Sequence, residues 1–196
     1  KRPVREVVAE IEALHTKHVL FPDVNLITDR AYAIELFNAL IPLKITWLGL
    51  VTSSVGIDDE LMTVFRKSGC RGLLIGFESI TQESQKYIHK GVNRVDSYVE
   101  LMEKLHDNGI LVQGCFAFGG DEEDESVFDR TVEMIIKAKI DLPRYSILTP
   151  FPQTAYYRQL EAEGRIIERN WAMYDVQHCV YKPKLMTKEQ LEEGTD

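Results

Sequence analysis

Five short stretches place polar or glycine residues directly after an apolar run. They are Phe21-Pro22-Asp23-Val24-Asn25, Thr52-Ser53-Ser54, Gly76-Phe77-Glu78-Ser79, Phe118-Gly119-Gly120-Asp121 and Leu148-Thr149-Pro150-Phe151-Pro152. Asp23 and Glu78 are carboxylates, suited to meeting an ammonium group, accepting hydroxyl hydrogen bonds or carrying a proton. Asn25 and Ser53 add neutral donors and acceptors. Gly119-Gly120 offers backbone that a ligand can approach closely, since no side chain holds it off. One site lined by Asp23, Asn25, Ser53, Glu78 and the Gly119-Gly120 backbone follows from this pattern. Each stretch also has a plainer reading. Asp23 and Asn25 suit a turn that caps the next helix, and Glu78 with Ser79 or Thr81 suits a helix cap. Gly119-Gly120 before Asp121-Glu122-Glu123-Asp124 suits a turn into an acidic helix start, which the helix dipole favours.

Other chemistry finds less support. His15 and His18 fall on different elements, and His89, His106 and His178 lack a second ligand at metal spacing. No nucleophile elbow or Ser-His-Asp order is present. Cys70, Cys115 and Cys179 are widely spaced and odd in number, neither a disulfide framework nor a metal knuckle. A reducing, cytoplasmic setting suits them best. The residues therefore assign no metal ligand and no catalytic side chain.

The elements that must position these stretches alternate between helical and strand periods. Residues 3–17 put Val4, Val7, Val8, Ile11 and Leu14 on one helical face. Strands are expected at 18–21, 44–51, 73–77, 110–118 and 145–148. Helices are expected at 28–40, 57–68, 81–87, 95–108, 123–139 and 154–164. Gly69 and Gly109 supply helix stops, and Thr28 or Asp29 a start. The strands look apolar on both faces, as a parallel sheet between helices requires. Ligands of such folds meet the carboxyl ends of the strands, where the five stretches lie. Without a glycine-rich dinucleotide fingerprint after a strand, a partial βα barrel is favoured over a doubly wound sheet. Residues 1–165 form that barrel, and 166–196 read as an irregular C-terminal extension.

Composition sets the outer bounds. With 196 residues, of which 44% are hydrophobic, the chain can bury a real core. Acidic residues outnumber basic ones by 31 to 23, and no Lys/Arg run offsets the net charge of -8, so nucleic acid is not an expected partner. No apolar stretch approaches the roughly 20 residues that span a bilayer. The chain opens on Lys1 with no signal peptide pattern and reads as a piece of a longer protein.

In order, the strand-end stretches resemble the radical SAM superfamily, and within it the cobalamin-linked branch of magnesium-protoporphyrin ester cyclases and hopanoid methylases. The stretches that carry the resemblance begin with residues 2–11 and Phe21-Pro22-Asp23-Val24-Asn25, followed by residues 68–79 and 98–109. Gly114-Cys115-Phe116-Ala117-Phe118-Gly119, residues 148–154 and Trp171-Ala172-Met173-Tyr174-Asp175 complete the set. The resemblance implies a six-stranded partial TIM-type barrel of which strands two to six are present. It implies S-adenosyl-L-methionine (SAM) and a four-iron four-sulfur cluster as cofactors, with cobalamin on an upstream domain. The CxxxCxxC cluster loop is absent from the 196 residues, so it is expected upstream of Lys1 and the chain alone is expected to be inactive.

By the same resemblance, Asp23 and Asn25 fall where the SAM amino group is held, and Ser53 at the next strand end. Glu78 falls where ribose hydroxyls are bound, Gly114, Phe116 and Gly119 beside adenine, and Thr149 near the same ligand. Gln153 stands where family members more often have Gly. The implied substrate is a small molecule, a lipid or a tetrapyrrole. An exposed strand edge, left by the missing first strand, is open to self-association. Two other readings are a non-catalytic βα scaffold and a metal-dependent barrel lyase or hydrolase using Asp23 and Glu78.

Overall fold

Alternating elements are set by their ends as much as by their apolar faces. The computed structural model describes residues 1–78 and 94–196. In chain order these form α1 (Val4–Ala13), β1 (His18–Phe21), α2 (Arg30–Leu40), β2 (Thr46–Thr52), α3 (Asp59–Ser68) and β3 (Cys70–Glu78). There follow α4 (Arg94–Asp107), β4 (Leu111–Phe118), α5 (Ser126–Ala138), β5 (Leu142–Ile147), α6 (Ala155–Ala162) and α7 (Lys188–Thr195). The Asp29 carboxylate accepts from the Tyr32 N–H at the start of α2, and Asp58 does the same for Leu61 at the start of α3. Gly69 ends α3 at φ 95°, a conformation that costs glycine little. The five strands form one parallel sheet in the order β1-β2-β3-β4-β5. The helix expected at 81–87 and His89 lie outside the described residues, as does the side chain of Glu78.

The chain divides into two compact units, each with its own core. The first comprises Lys1–Gly76, Val95–Gly114 and Ala138–Leu142. At its centre Trp47 of β2 stacks on Phe37 of α2, with ring centroids 4.3 Å apart, and meets Phe65 of α3 edge-on at 5.0 Å. The Trp47 Nε1–H donates to Ser68 Oγ at 3.0 Å, so this buried indole leaves no polar group unmet.

Burial along β2 alternates. Trp47, Gly49 and Val51 are buried, Trp47 against α2 and α3, while Leu48 and Thr52 point the other way and are exposed. Leu20, opposite Leu48 in the register, is 65% exposed. The expectation of two helix-covered faces is thus corrected at these positions: among the described residues no helix covers Leu20 or Leu48. A doubly wound sheet covers both, so the open face favours the barrel.

The second unit comprises Phe77–Arg94, Cys115–Lys137 and Pro143–Asp196. Phe77 stacks on Phe116, and Phe118 meets Phe128 edge-on at 5.1 Å. Residues 166–196 pack into this core. Ile166 and Tyr181 form an antiparallel bridge, and the Ile147 N–H donates to the Val176 carbonyl at 2.7 Å. A capping box between Thr187 and Gln190 starts α7, and Gly194 lies so close on Phe128 that a Cβ would overlap the ring. No described helix is long and apolar enough to cross a membrane.

Candidate functional site

The carboxyl ends of the strands carry the candidate residues, and each unit contributes its own set. In the first, the chain leaves β1 through Pro22 to Asp23, which is exposed and whose carboxylate meets no partner among the described residues. Asn25 is occupied locally. Its Oδ1 accepts from the Ile27 N–H at 3.3 Å and its carbonyl from Thr28 Oγ1 at 3.0 Å, which shapes the turn into α2. The Leu26 N–H donates to the Leu50 carbonyl at 2.9 Å and ties this loop to β2.

Asp23 and Asn25 share the wall of a cavity of about 540 Å³ with Lys1, Arg2, Asp29 and Tyr32. Lys1 pairs with Asp29, Arg2 pairs with Glu10, and the Tyr32 hydroxyl donates to the Arg2 carbonyl. The cations on this wall therefore have anions of their own, and neither pairs with Asp23. At the end of β2, Thr52 Oγ1 lies 2.7 Å from Ser54 Oγ. Ser53 is half-buried, with no side-chain partner among the described residues. Gly114 is buried within β4.

In the second unit Glu78 is the last residue of β3. Phe116, whose carbonyl accepts from the Ser146 hydroxyl at 2.9 Å, is 1% exposed and stacked on Phe77 at 5.6 Å, so its ring is in the core. Strand alternation explains this, because Gln113, Cys115 and Ala117 take the opposite face.

Gly119, at φ 105°, has both backbone groups engaged within the chain. Its N–H donates to Glu123 Oε2 at 2.7 Å, and its carbonyl accepts from the Tyr181 hydroxyl at 2.5 Å. A Cβ here would overlap that hydroxyl. The missing side chain thus makes room for Tyr181, where the sequence pattern suggested room for a ligand. Thr149 is buried, and its hydroxyl donates to the Ile147 carbonyl at 3.0 Å.

Sequence reasoning passed over the cluster that holds this end of β4. Arg165, with 10% of its side chain exposed, donates to Asp121 at 2.7 Å, to Glu163 at 2.9 Å and to the Lys182 carbonyl at 2.7 Å. Lys184 is the second partner of Asp121. Burial opposes the Asp121 charge, but the hydrogen bonds from Arg165 and Lys184 outweigh it and hold the carboxyl below its ordinary value. The residues that meet here are 44 positions apart, so no local pattern announces them.

Burial pushes the thiols of Cys70 and Cys179 up. Cys70 lies in the first unit and Cys115 and Cys179 in the second. With no CxxxCxxC in the sequence, these thiols do not fit a cluster.

Gln153 adopts φ 67°, the left-handed region, in the turn after β5. This explains why glycine suits the position. Gln153→Gly is expected to raise stability by about 0.5 to 1 kcal/mol, because it removes a penalty of about 1 to 2 kcal/mol and adds a smaller entropic cost. Urea titration of the two proteins measures this, and equal midpoints would mean the turn relaxes around the side chain.

Comparison with known proteins places these features in context. The chain matches the model of the Radical SAM superfamily over residues 1–135. It is 33% identical over 191 residues to a bacteriochlorophyllide d C-12(1)-methyltransferase of Chlorobaculum tepidum, covering 96% of this chain and 41% of that protein. It is 25% identical over 202 residues to an anaerobic magnesium-protoporphyrin IX monomethyl ester cyclase of Cereibacter sphaeroides, covering 98% of this chain and 32% of that one. Among solved structures, the radical S-adenosylmethionine methyltransferase TsrM of Kitasatospora setae, with cobalamin and a [4Fe-4S] cluster bound, superposes with a TM-score of 0.72 at 18% identity. That match covers 83% of this chain and 34% of the other. Coproporphyrinogen III oxidase from Escherichia coli gives 0.54 at 14% identity, over 74% of this chain and 35% of that one. These two share the fold. The chain spans about two fifths or less of the curated relatives named here.

Proposed function

This chain belongs to the radical SAM superfamily, and from that premise we propose that it is the SAM-holding part of an iron-sulfur enzyme acting on a tetrapyrrole by methyl transfer or ring closure. The observation that carries the reading is 33% identity, along nearly the whole chain, to a bacteriochlorophyllide methyltransferase. The cluster loop belongs to the intact protein outside residues 1–196, and a cobalamin domain is the further partner that the TsrM likeness suggests. Bound there, the reduced cluster supplies the electron that cleaves SAM, and cobalamin carries the methyl group.

The work of this chain is to bind and orient. Asp23, exposed and unpartnered on its cavity wall, receives the SAM ammonium group, while Asn25 fixes the turn that presents it. Ser53 offers a hydroxyl at the end of β2. Glu78, at the end of β3, accepts from the ribose hydroxyls. The Gly114 and Phe116 backbone flanks adenine, and Gly119 and Thr149 shape the strand ends beside it. The superfamily membership does not favour a lyase or hydrolase using Asp23 and Glu78, nor a non-catalytic scaffold.

β1 stands at the edge of the sheet, and its open side supports self-association of the chain on its own. The absence of a described membrane-crossing helix is compatible with a cytoplasmic setting.

SAM affinity of the intact, cluster-loaded protein tests the binding roles. Asp23→Ala and Glu78→Ala are each expected to weaken SAM by roughly ten- to a hundredfold, the loss of one charge-assisted hydrogen bond. Glu78→Gln keeps an acceptor and should lose less. Iron content should be unchanged in all three. Parental affinity in Asp23→Ala removes the ammonium role, and parental affinity in Glu78→Ala removes the ribose role.

A further inference from the structure

The turn at residues 174–178 is built more rigidly than a surface connection requires. The Val176 carbonyl accepts the N–H of Ile147, the last residue of β5, which pins the turn beside the carboxyl end of that strand. Substrates of βα barrels are met at this end. Val176 pays for the position with φ 65°, a conformation that a β-branched residue rarely adopts and that the surroundings must enforce.

Within the turn, Asp175 Oδ1 accepts from the N–H groups of Gln177 and His178, each at 3.0 Å. Its carboxylate then takes the His178 Nδ1–H at 2.9 Å. That hydrogen bond fixes the tautomer and leaves the Nε2 lone pair with no partner among the described residues. The ring is 46% exposed. Directly after it, Cys179, Val180 and Tyr181 are buried, so the imidazole stands on a firm base. Just before the turn lies the indole of Trp171, 56% exposed and tilted against Tyr174 at 4.8 Å, a flat apolar surface open to solvent.

A histidine whose Nδ1–H is held by a carboxylate is the arrangement of a metal ligand. Among the described residues no three His, Cys, Asp or Glu side chains gather to hold a free ion. A magnesium tetrapyrrole needs only one, because the macrocycle supplies four nitrogens and leaves an axial position open. We propose that His178 Nε2 is the axial ligand to the central magnesium of the tetrapyrrole substrate, oriented by Asp175. The proposal rests on the tetrapyrrole reading above and adds a residue and a requirement for the metal. His106 makes a useful contrast. Its Nε2 is bound 3.0 Å from Asp141, which also accepts the Val112 N–H at the amino end of β4. Conservation of structure, not substrate contact, is the usual role of that end.

The test compares two probes on the intact enzyme: chlorophyllide a, a magnesium chlorin, and pheophorbide a, its metal-free counterpart. The parent is expected to bind the magnesium form about tenfold more tightly. His178→Ala should bring the ratio near one with pheophorbide affinity kept, and Asp175→Asn should lower it in part. His106→Ala should leave it unchanged. In His178→Gly, added imidazole should restore the preference, and this second variant reports ligation even if the alanine protein folds poorly. A ratio near one in the parent, or an unchanged ratio in His178→Ala, overturns axial ligation while the tetrapyrrole reading stands. A parent that binds neither pigment overturns that reading and the ligand with it.

Discussion

Trp47→Ala is expected to remove about 3 to 5 kcal/mol of stability, the largest effect of any single change considered for the first unit. The indole is 1% exposed and touches three aromatic rings, from β1, α2 and α3. Its removal leaves a cavity that Phe21, Phe37 and Phe65 cannot close, because each is held by its own element. It also strips the Ser68 hydroxyl of a donor, although that hydroxyl still donates to the Phe65 carbonyl. Trp47→Phe keeps most of the ring volume and should cost about 1 to 2 kcal/mol. Urea denaturation of the three proteins decides the matter. A loss below about 1 kcal/mol in Trp47→Ala would mean the core repacks and is not organised around this residue.

Arg165→Ala is expected to cost about 3 kcal/mol in the second unit, toward the lower end for breaking a buried ion pair because Lys184 still reaches Asp121. Glu163 is more exposed than Asp121 and adds little. The guanidinium also holds the Lys182 carbonyl, so the loss should loosen the Tyr181 segment that covers Gly119. Replacing both partners, Arg165→Met with Asp121→Leu, leaves no unpaired charge and should recover most of the loss.

The pH dependence has a definite sign. The folded-state pKa of Asp121 is depressed, so its contribution is fully present above the ordinary carboxylate range and is lost as pH falls through the folded value. The gap between parent and Arg165→Ala should therefore be constant near neutrality and shrink below about pH 4. A gap that persists unchanged in acid would assign the role of Arg165 to packing and the Lys182 carbonyl.

Much of the fold is legible in local signals. Asp29, Asp58 and Thr154 cap helices as their types suggest, and Gly69 and Gly109 take positive φ at helix ends. What local signals do not carry shares a cause, which is distance along the chain. Leu20 and Leu48 look like core residues because an apolar run carries no sign of which face the helices will cover. Gly119 reads as open backbone because Tyr181, which fills the space beside it, is 62 residues away. Residues 166–196 carry few local signals because their partners, among them Gly119, Phe128 and Ile147, are far away in sequence. Only α7 had a local sign that was overlooked, the Thr187 to Gln190 capping box. At the site, strand ends were legible and side-chain engagement was not. Asp23 and Ser53 have no described partner, whereas Asn25 and Gly119 are occupied and Phe116 turns inward.

The central claim is that this chain holds SAM for reductive cleavage in a longer iron-sulfur enzyme. Its most direct test is the yield of 5′-deoxyadenosine from the intact protein, loaded with iron and sulfide under anaerobic conditions, given SAM and reduced with dithionite. The account predicts 5′-deoxyadenosine formation that depends on the reductant and disappears when the cluster-loop cysteines are changed to serine. An intact protein that carries its cluster and binds SAM, yet releases no 5′-deoxyadenosine with or without a tetrapyrrole present, would contradict it.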